Sequence, residues 1–324
     1  MPSPLHDHLR HYSSADWRTA VEKLSAAIHP IDRNATDIWF AFWPLALCLE
    51  FEKLAADGEP SAEAVETLAR QLKLMGRWRL ADQIDSSHRF LYAHRFWPQV
   101  KQAIQSTEDF PQGLPALITA VADSATRRAR VDREMLLGIT AVGLMTLRQV
   151  GREAFVAAPG TVHLSDKAKA ISAHQLAKRR ARNESMGPLG FMQGIRKPWT
   201  VTFDESDPAA KFPVITGQEI ATAAQADKRE YRSRDSRCTP NEGPIPVECR
   251  AASCGTCWVG VLAGAEKLSP VAPRDEGQRL KVFGYGETDG ETPLVRLSCQ
   301  ARAYGAVSIV IPPWNGFLGK IIDT

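Results

Sequence analysis

Cysteine is scarce in this chain, six in 324 residues, too few for a scaffold held together by disulfides. Long apolar runs are missing as well. The most apolar stretch, residues 38–51, is about 14 residues long, short of the roughly 20 that span a bilayer. A second, residues 135–147, is shorter and flanked by charge. Both read as buried core helices, so no transmembrane segment is expected. Residues 1–12 hold neither an apolar run nor a small-residue cleavage site, and Arg10 is a lone arginine. Secretory and twin-arginine signals are therefore not expected, and the reading is cytoplasmic. Charge of one sign is not in excess either. The 40 Lys and Arg face 37 Asp and Glu, a net +3, which gives no reason to expect a nucleic-acid partner.

What is present suffices for two domains, and a content of 44% hydrophobic residues excludes a largely disordered chain. From about residue 14 to 185 the pattern is helical. Trp17, Val21, Leu24 and Ile28 recur at the spacing of one helix face. A helix is expected over 36–56, stopped by Asp57-Gly58-Glu59-Pro60; another follows Ser61 as its cap, with Val65, Leu68, Leu72 and Met75 on one side. Further helices are expected over 78–105, with Pro98 as a candidate break, and over 114–153. No strand is expected in this half. Residues 166–183 are basic, with Lys167, Lys169, Lys178, Arg179, Arg180 and Arg182. They read as a solvated helix face that could also meet an acidic partner or, peripherally, an anionic membrane surface. Met186-Gly187-Pro188-Leu189-Gly190 then interrupts any helix.

After Lys197 the pattern turns to strands: residues 199–203 and 212–215, a short helix over 218–226, then strands over 258–262 and 306–311. The fold class is accordingly α+β. An all-helical docking or interaction domain is expected over 1–183, a linker over 184–197 and a strand-containing domain over 198–324.

Four of the six cysteines lie in this last part. Cys249, Cys254 and Cys257 are spaced C-x4-C-x2-C, and Cys299 follows after 41 intervening residues, in Leu297-Ser298-Cys299-Gln300. Two irons bridged by two sulfides need four thiolates, two per iron. One tight loop can supply three of these, and the fourth must come from elsewhere in the fold. Such a loop must turn its N–H groups toward the negative sulfurs, and Ala251, Ala252, Ser253, Gly255 and Thr256 are small enough to permit it. A structural zinc site would favour a second close cysteine pair or histidine ligands, and no histidine lies beyond His174.

On these residues the segment from about 197 to 312 resembles the plant-type [2Fe–2S] ferredoxins and the ferredoxin modules of oxygenase and dehydrogenase systems. The resemblance implies a β-grasp fold for this domain and a [2Fe–2S] cluster. It also implies that Cys249 and Cys254 hold the outer iron while Cys257 and Cys299 hold the inner one. Two departures stand out: Ala252 replaces a glycine found in many members, and the interval before Cys299 is long. The excess is placed in a surface loop over 284–293.

The other candidates are weaker. Cys238 reads as a bystander on a loop, with a spare ligand or a thiol switch as the alternatives, and Cys48 reads as core packing. Trp258 could shield the cluster or simply be core, and Arg250 could contact an acidic partner. His88 and His94 are six apart, on opposite sides of a helix; His6, His8 and His11 form a loose terminal cluster. Gly284 to Gly290 lacks the spacing of a dinucleotide fingerprint. Residues 312–320 carry Trp314, Phe317 and Leu318, a tail that either docks a partner or folds back. The expected function is single-electron transfer by a subunit or dedicated partner of a larger oxidoreductase, of oxygenase, dehydrogenase or hydrogenase type, rather than stand-alone catalysis. Two alternatives remain: an enzyme with a substrate or second-cofactor site in the helical domain, and an iron–sulfur redox sensor.

Overall fold

The computed structural model describes residues 4–56, 58, 60–76, 93–157, 170–184, 198–285, 293–317 and 319. Its helices up to residue 184 are α1 (Pro4–Leu9), α2 (Ser14–Leu24), α3 (Pro30–Phe42), α4 (Leu45–Leu54), α5 (Ala62–Gln71), α6 (Ala93–Gln105), α7 (Leu114–Ala129), α8 (Arg133–Ala157) and α9 (Ala173–Glu184), with a two-residue strand β1 (Met75–Gly76) after α5. The chain forms two compact units. One comprises Met1–Leu49 and Arg79–Ala173, the other Glu50–Trp78 and His174–Thr324.

In the first unit the sequence dictates where helices start and stop. Ser13 caps α2 through a reciprocal capping box with Asp16, and Pro30 opens α3. The helix expected over 36–56 is in fact two, because Pro44 lacks an N–H and drives Trp43 out of helical geometry. The helix expected over 114–153 is likewise broken: Arg130 takes a left-handed φ of 56° and ends α7, and α8 is kinked at Gly151, whose φ of 78° and ψ of 166° are not helical. By contrast, α6 continues through Pro98. Residues 78–92 of that expected helix lie outside the described residues. Helix α8 is the centre of the unit, buried on every side from Met135 to Gln149 and packed on α1, α3, α6 and α7. Two glycines permit this closeness. A β-carbon at Gly138 would stand 2.6 Å from Thr36 Oγ1, and one at Gly143 2.9 Å from Ile104 Cδ1.

The second unit holds β2 (Trp199–Thr202), β3 (Lys211–Val214), β4 (Gln218–Glu219), α10 (Ile220–Ala224), β5 (Trp258–Ala263), α11 (Gln278–Phe283), β6 (Val295–Leu297), β7 (Arg302–Ala303), β8 (Val307–Val310) and β9 (Trp314–Asn315). Five strands form a mixed sheet in the order β3-β2-β8-β5-β6. β2 and β3 are an antiparallel hairpin, with Pro213 tolerated because β3 is an edge strand. β8 runs parallel to β2, Val201 opposite Val307, and antiparallel to β5. A small second sheet pairs β4 with β7.

The strand in the helical half was not expected. β1 pairs antiparallel with β9, Met75 opposite Asn315 and Gly76 opposite Trp314. Two residues that bond through main chain alone leave no hydrophobic period to read. The tail thus folds back within its own unit, with Trp314 buried. Arg237 ties the same region together, pairing with Asp235 and bonding Asn315 Oδ1 and the Pro312 carbonyl. Helix α9 is joined to the sheet of this unit by a buried ion pair of Arg180 with Glu205, which also accepts the Ser308 hydroxyl at 2.7 Å. From residue 185 onward, the linker expected over 184–197 lies outside the described residues.

Candidate metal centre

Three of the four clustered cysteines sit on the loop that feeds β5, and the fourth on the turn that follows β6. That turn is fixed close to the loop: the Ser298 N–H donates to the Cys257 carbonyl at 3.0 Å. The loop itself is tightly wound. Arg250, Ala252 and Gly255 take positive φ of 54°, 53° and 70°, which turns successive N–H groups to one side as an anion-binding concavity does. The Cys249 sulfur accepts three of them, from Ala251 at 3.4 Å, Ser253 at 3.4 Å and Cys254 at 3.3 Å. Burial raises the Cys249 thiol, but bonds from Ser253, Ala251 and Cys254 outweigh it and bring the group down to about 6. A loop that favours a thiolate before any metal arrives fits the donor set that iron–sulfur ligation requires.

The sulfurs fall into two pairs. Cys249 and Cys254, both half-buried, are within hydrogen-bonding reach of one another. Cys257 and Cys299, both buried, are likewise paired. That bond raises Cys257 and draws Cys299 down to about 7. Among the described residues, no three His, Cys, Asp or Glu side chains converge on a position for a single metal ion. Two thiol pairs suit a two-iron cluster better than one tetrahedral ion.

Arg279 and Phe283 support the loop without any signal in the sequence, whereas Thr256 and Gln300 stand beside the cysteines they contact. The Thr256 hydroxyl lies 2.8 Å from Cys254 Sγ and 3.1 Å from Glu248 Oε2. Gln300 Nε2 donates to Cys299 Sγ at 3.5 Å. Arg279 Nε donates to the Ala252 carbonyl at 2.9 Å, holding the loop from α11. The ring of Phe283 covers Gly255 so closely that a β-carbon there would lie 2.0 Å from Phe283 Cζ.

Residues 235–304 match the family model of the 2Fe-2S iron-sulfur cluster binding domain. The chain carries a [2Fe–2S] ferredoxin-type domain. Its cofactor is accordingly a [2Fe–2S] cluster, and its general role is iron–sulfur electron transfer. Comparison with curated proteins and with solved structures gives no match.

Trp258 is fully buried and meets Phe283 and Tyr285 edge-on, at 5.4 and 5.0 Å between ring centroids. It packs beneath the ferredoxin loop as core. Arg250 is exposed and pairs with Glu242 at 3.2 Å. The Cys238 thiol is buried, donates to the Pro244 carbonyl at 3.4 Å and is pushed up to about 12 by burial and by Asp235. It has the character of an inert core thiol. Cys48 is buried in the first unit, with its sulfur 3.6 Å from the Gln149 carbonyl. Of the terminal histidines, His8 stacks on Phe110 and lies 3.2 Å from the Tyr12 hydroxyl, while His11 is exposed. His88 and the side chain of His94 lie outside the described residues, as does most of the loop over 284–293. Gly284 itself is the left-handed cap of α11. No helix among the described residues is long and apolar enough to cross a membrane.

Proposed function

We propose that Cys249, Cys254, Cys257 and Cys299 hold the cluster, and that this chain passes single electrons to or from a larger redox enzyme. The observation that carries the reading is the sorting of the four sulfurs into a half-exposed pair and a buried pair. Cys249 and Cys254 hold the outer iron and Cys257 and Cys299 the inner one. When bound, the cluster supplies a one-electron redox centre. The protein's share is to keep the thiols poised, to direct the N–H groups of Ala251, Ser253 and Cys254 at sulfur, and to keep Cys257 and Cys299 dry. Electrons enter and leave at the Cys249–Cys254 rim, where Ala251 and Ser253 are exposed and a partner can approach closely.

The mixed five-stranded sheet and the parallel pairing of β2 with β8 support a β-grasp fold for this part of the chain. The helical residues before it serve to dock the electron carrier on its enzyme, of oxygenase, dehydrogenase or hydrogenase type by resemblance. A carrier that diffused freely would have no use for so much additional chain.

Anaerobic purification, iron and sulfide analysis, and EPR before and after dithionite test this reading. About two irons per chain and a rhombic signal on reduction are expected, and each Cys→Ser variant at the four positions should lose or alter that signal. Zinc without iron in repeated anaerobic preparations would overturn it.

A further inference from the structure

The loop between Cys254 and Cys257 rests on two aromatic rings, and the outer one is held by a distant stretch of the chain. Gly255 lies under the Phe283 ring, where three ring atoms would come within 2.7 Å of a β-carbon. Phe283 is buried in α11 and meets Phe317 with ring centroids 4.2 Å apart. Phe317 is in turn fixed by residues that precede α6. Its N–H donates to the Leu72 carbonyl at 2.7 Å, and Lys73 Nζ lies 4.9 Å from its ring centroid. Gly316 lies against Leu74, where a β-carbon would be 2.4 Å from Cδ2. Asn315 and Trp314 complete the series by pairing with Met75 and Gly76. Lys73 adopts a left-handed φ of 47° within this stretch, a conformation that an L-residue holds only when its surroundings impose it.

We infer that Phe317, held by residues 72–76, is a positioning residue for the iron–sulfur cluster. The inference rests on the ligand assignment proposed above. Phe317 backs the ring of Phe283, Phe283 presses on Gly255, and Gly255 sets the path of the chain between two ligands. Without the outer ring, one face of Phe283 loses its contacts and the ring relaxes into the vacated space. The turn at Gly255 then loosens, the N–H bonds to sulfur lengthen and water gains access. Those bonds and that access govern both the lability and the potential of such a cluster. The stretch 72–76 thereby acts on the redox centre without touching it.

The test uses the full-length chain loaded anaerobically. It measures the rate of iron loss to a ferrous chelator, the reduction potential and the EPR spectrum for the unaltered chain, Phe317→Ala, Phe317→Leu and Gly76→Val. The last variant acts from the other side of the strand pair, since a β-carbon at Gly76 would lie 2.6 Å from the Pro313 carbonyl. Phe317→Ala and Gly76→Val should lose iron about tenfold faster, the scale of change expected when outer-shell support is removed. Both should also show shifted potentials and spectra. Phe317→Leu, which keeps an apolar contact, should fall between Phe317→Ala and the unaltered chain. If Phe317→Ala does not fold, Gly76→Val decides alone. Variants that load normally and match the unaltered chain in rate, potential and spectrum overturn this inference. An unaltered chain that takes up no [2Fe–2S] cluster overturns the ligand assignment along with it.

Discussion

Glu276 and Arg296 form an ion pair that is closed to water, their side chains 0% and 1% exposed. Glu276 Oε1 also accepts the Leu297 N–H at 2.7 Å, and Arg296 Nη1 donates to the Ser269 carbonyl at 2.9 Å. The pair therefore fixes β6, the strand that ends two residues before Cys299. Removing one partner leaves the other charge buried alone. Glu276→Ala should cost about 3–5 kcal/mol of stability, read as a lowered urea midpoint of the metal-free chain. Replacing both residues by methionine should cost less than the single change, because no orphan charge remains.

Gly255→Ala should be more damaging to the site than to the fold. The new methyl would meet the buried Phe283 ring at 2.0 Å, on a backbone with φ of 70°. Either the ring or the loop must move, at a cost of about 1–3 kcal/mol for overpacking, with strain added. Iron bound per chain after anaerobic reconstitution should fall well below that of the unaltered protein.

Ala252→Gly should go the other way. Ala252 holds a left-handed φ of 53°, where a β-carbon is unfavourable. Glycine relieves that strain while leaving the carbonyl that accepts from Arg279 in place. A gain of about 0.5–1 kcal/mol is expected, seen as a higher urea midpoint with the EPR spectrum unchanged.

Asp227 gives the second unit a pH dependence on its acid side. Bonds from Arg229 outweigh burial, and with help from Tyr231 they hold this carboxyl at about 2, against an ordinary 3.8. A depressed carboxyl contributes stability in full above its unfolded value, and that contribution is lost as pH falls through the folded one. Thermal midpoints should therefore drop between about pH 4 and pH 2, and Asp227→Asn should flatten this part of the profile while lowering stability at neutral pH.

How much of this was legible depended on how locally each feature is encoded. The C-x4-C-x2-C spacing states a chemical requirement within nine residues, so the ferredoxin domain could be read directly from it. Helical faces such as Trp17, Val21 and Leu24 are equally local, and all three are buried as expected. The break at Trp43 was missed because the apolar pattern runs straight across it, although Pro44 carried the signal. The pairing of Gly76 with Trp314 could not have been read, since neither residue announces a strand and the partners are far apart in the chain. Phe283 carries no marker of its own in the sequence. Its role comes from Gly255, whose missing side chain is what lets the ring approach.

The second unit is discontinuous: residues 50–78 leave the helical region to join it and contribute β1. The carrier and its helical companion are therefore interleaved rather than strung in series. No single cut in the polypeptide separates them. A fragment beginning at residue 198 would retain all four cysteines, yet it would present β9 with no partner strand and leave the Phe317 amide without the Leu72 carbonyl. Exchange of this domain between proteins by simple end-to-end fusion would sacrifice that support, so the two parts can be expected to travel, and to change, together.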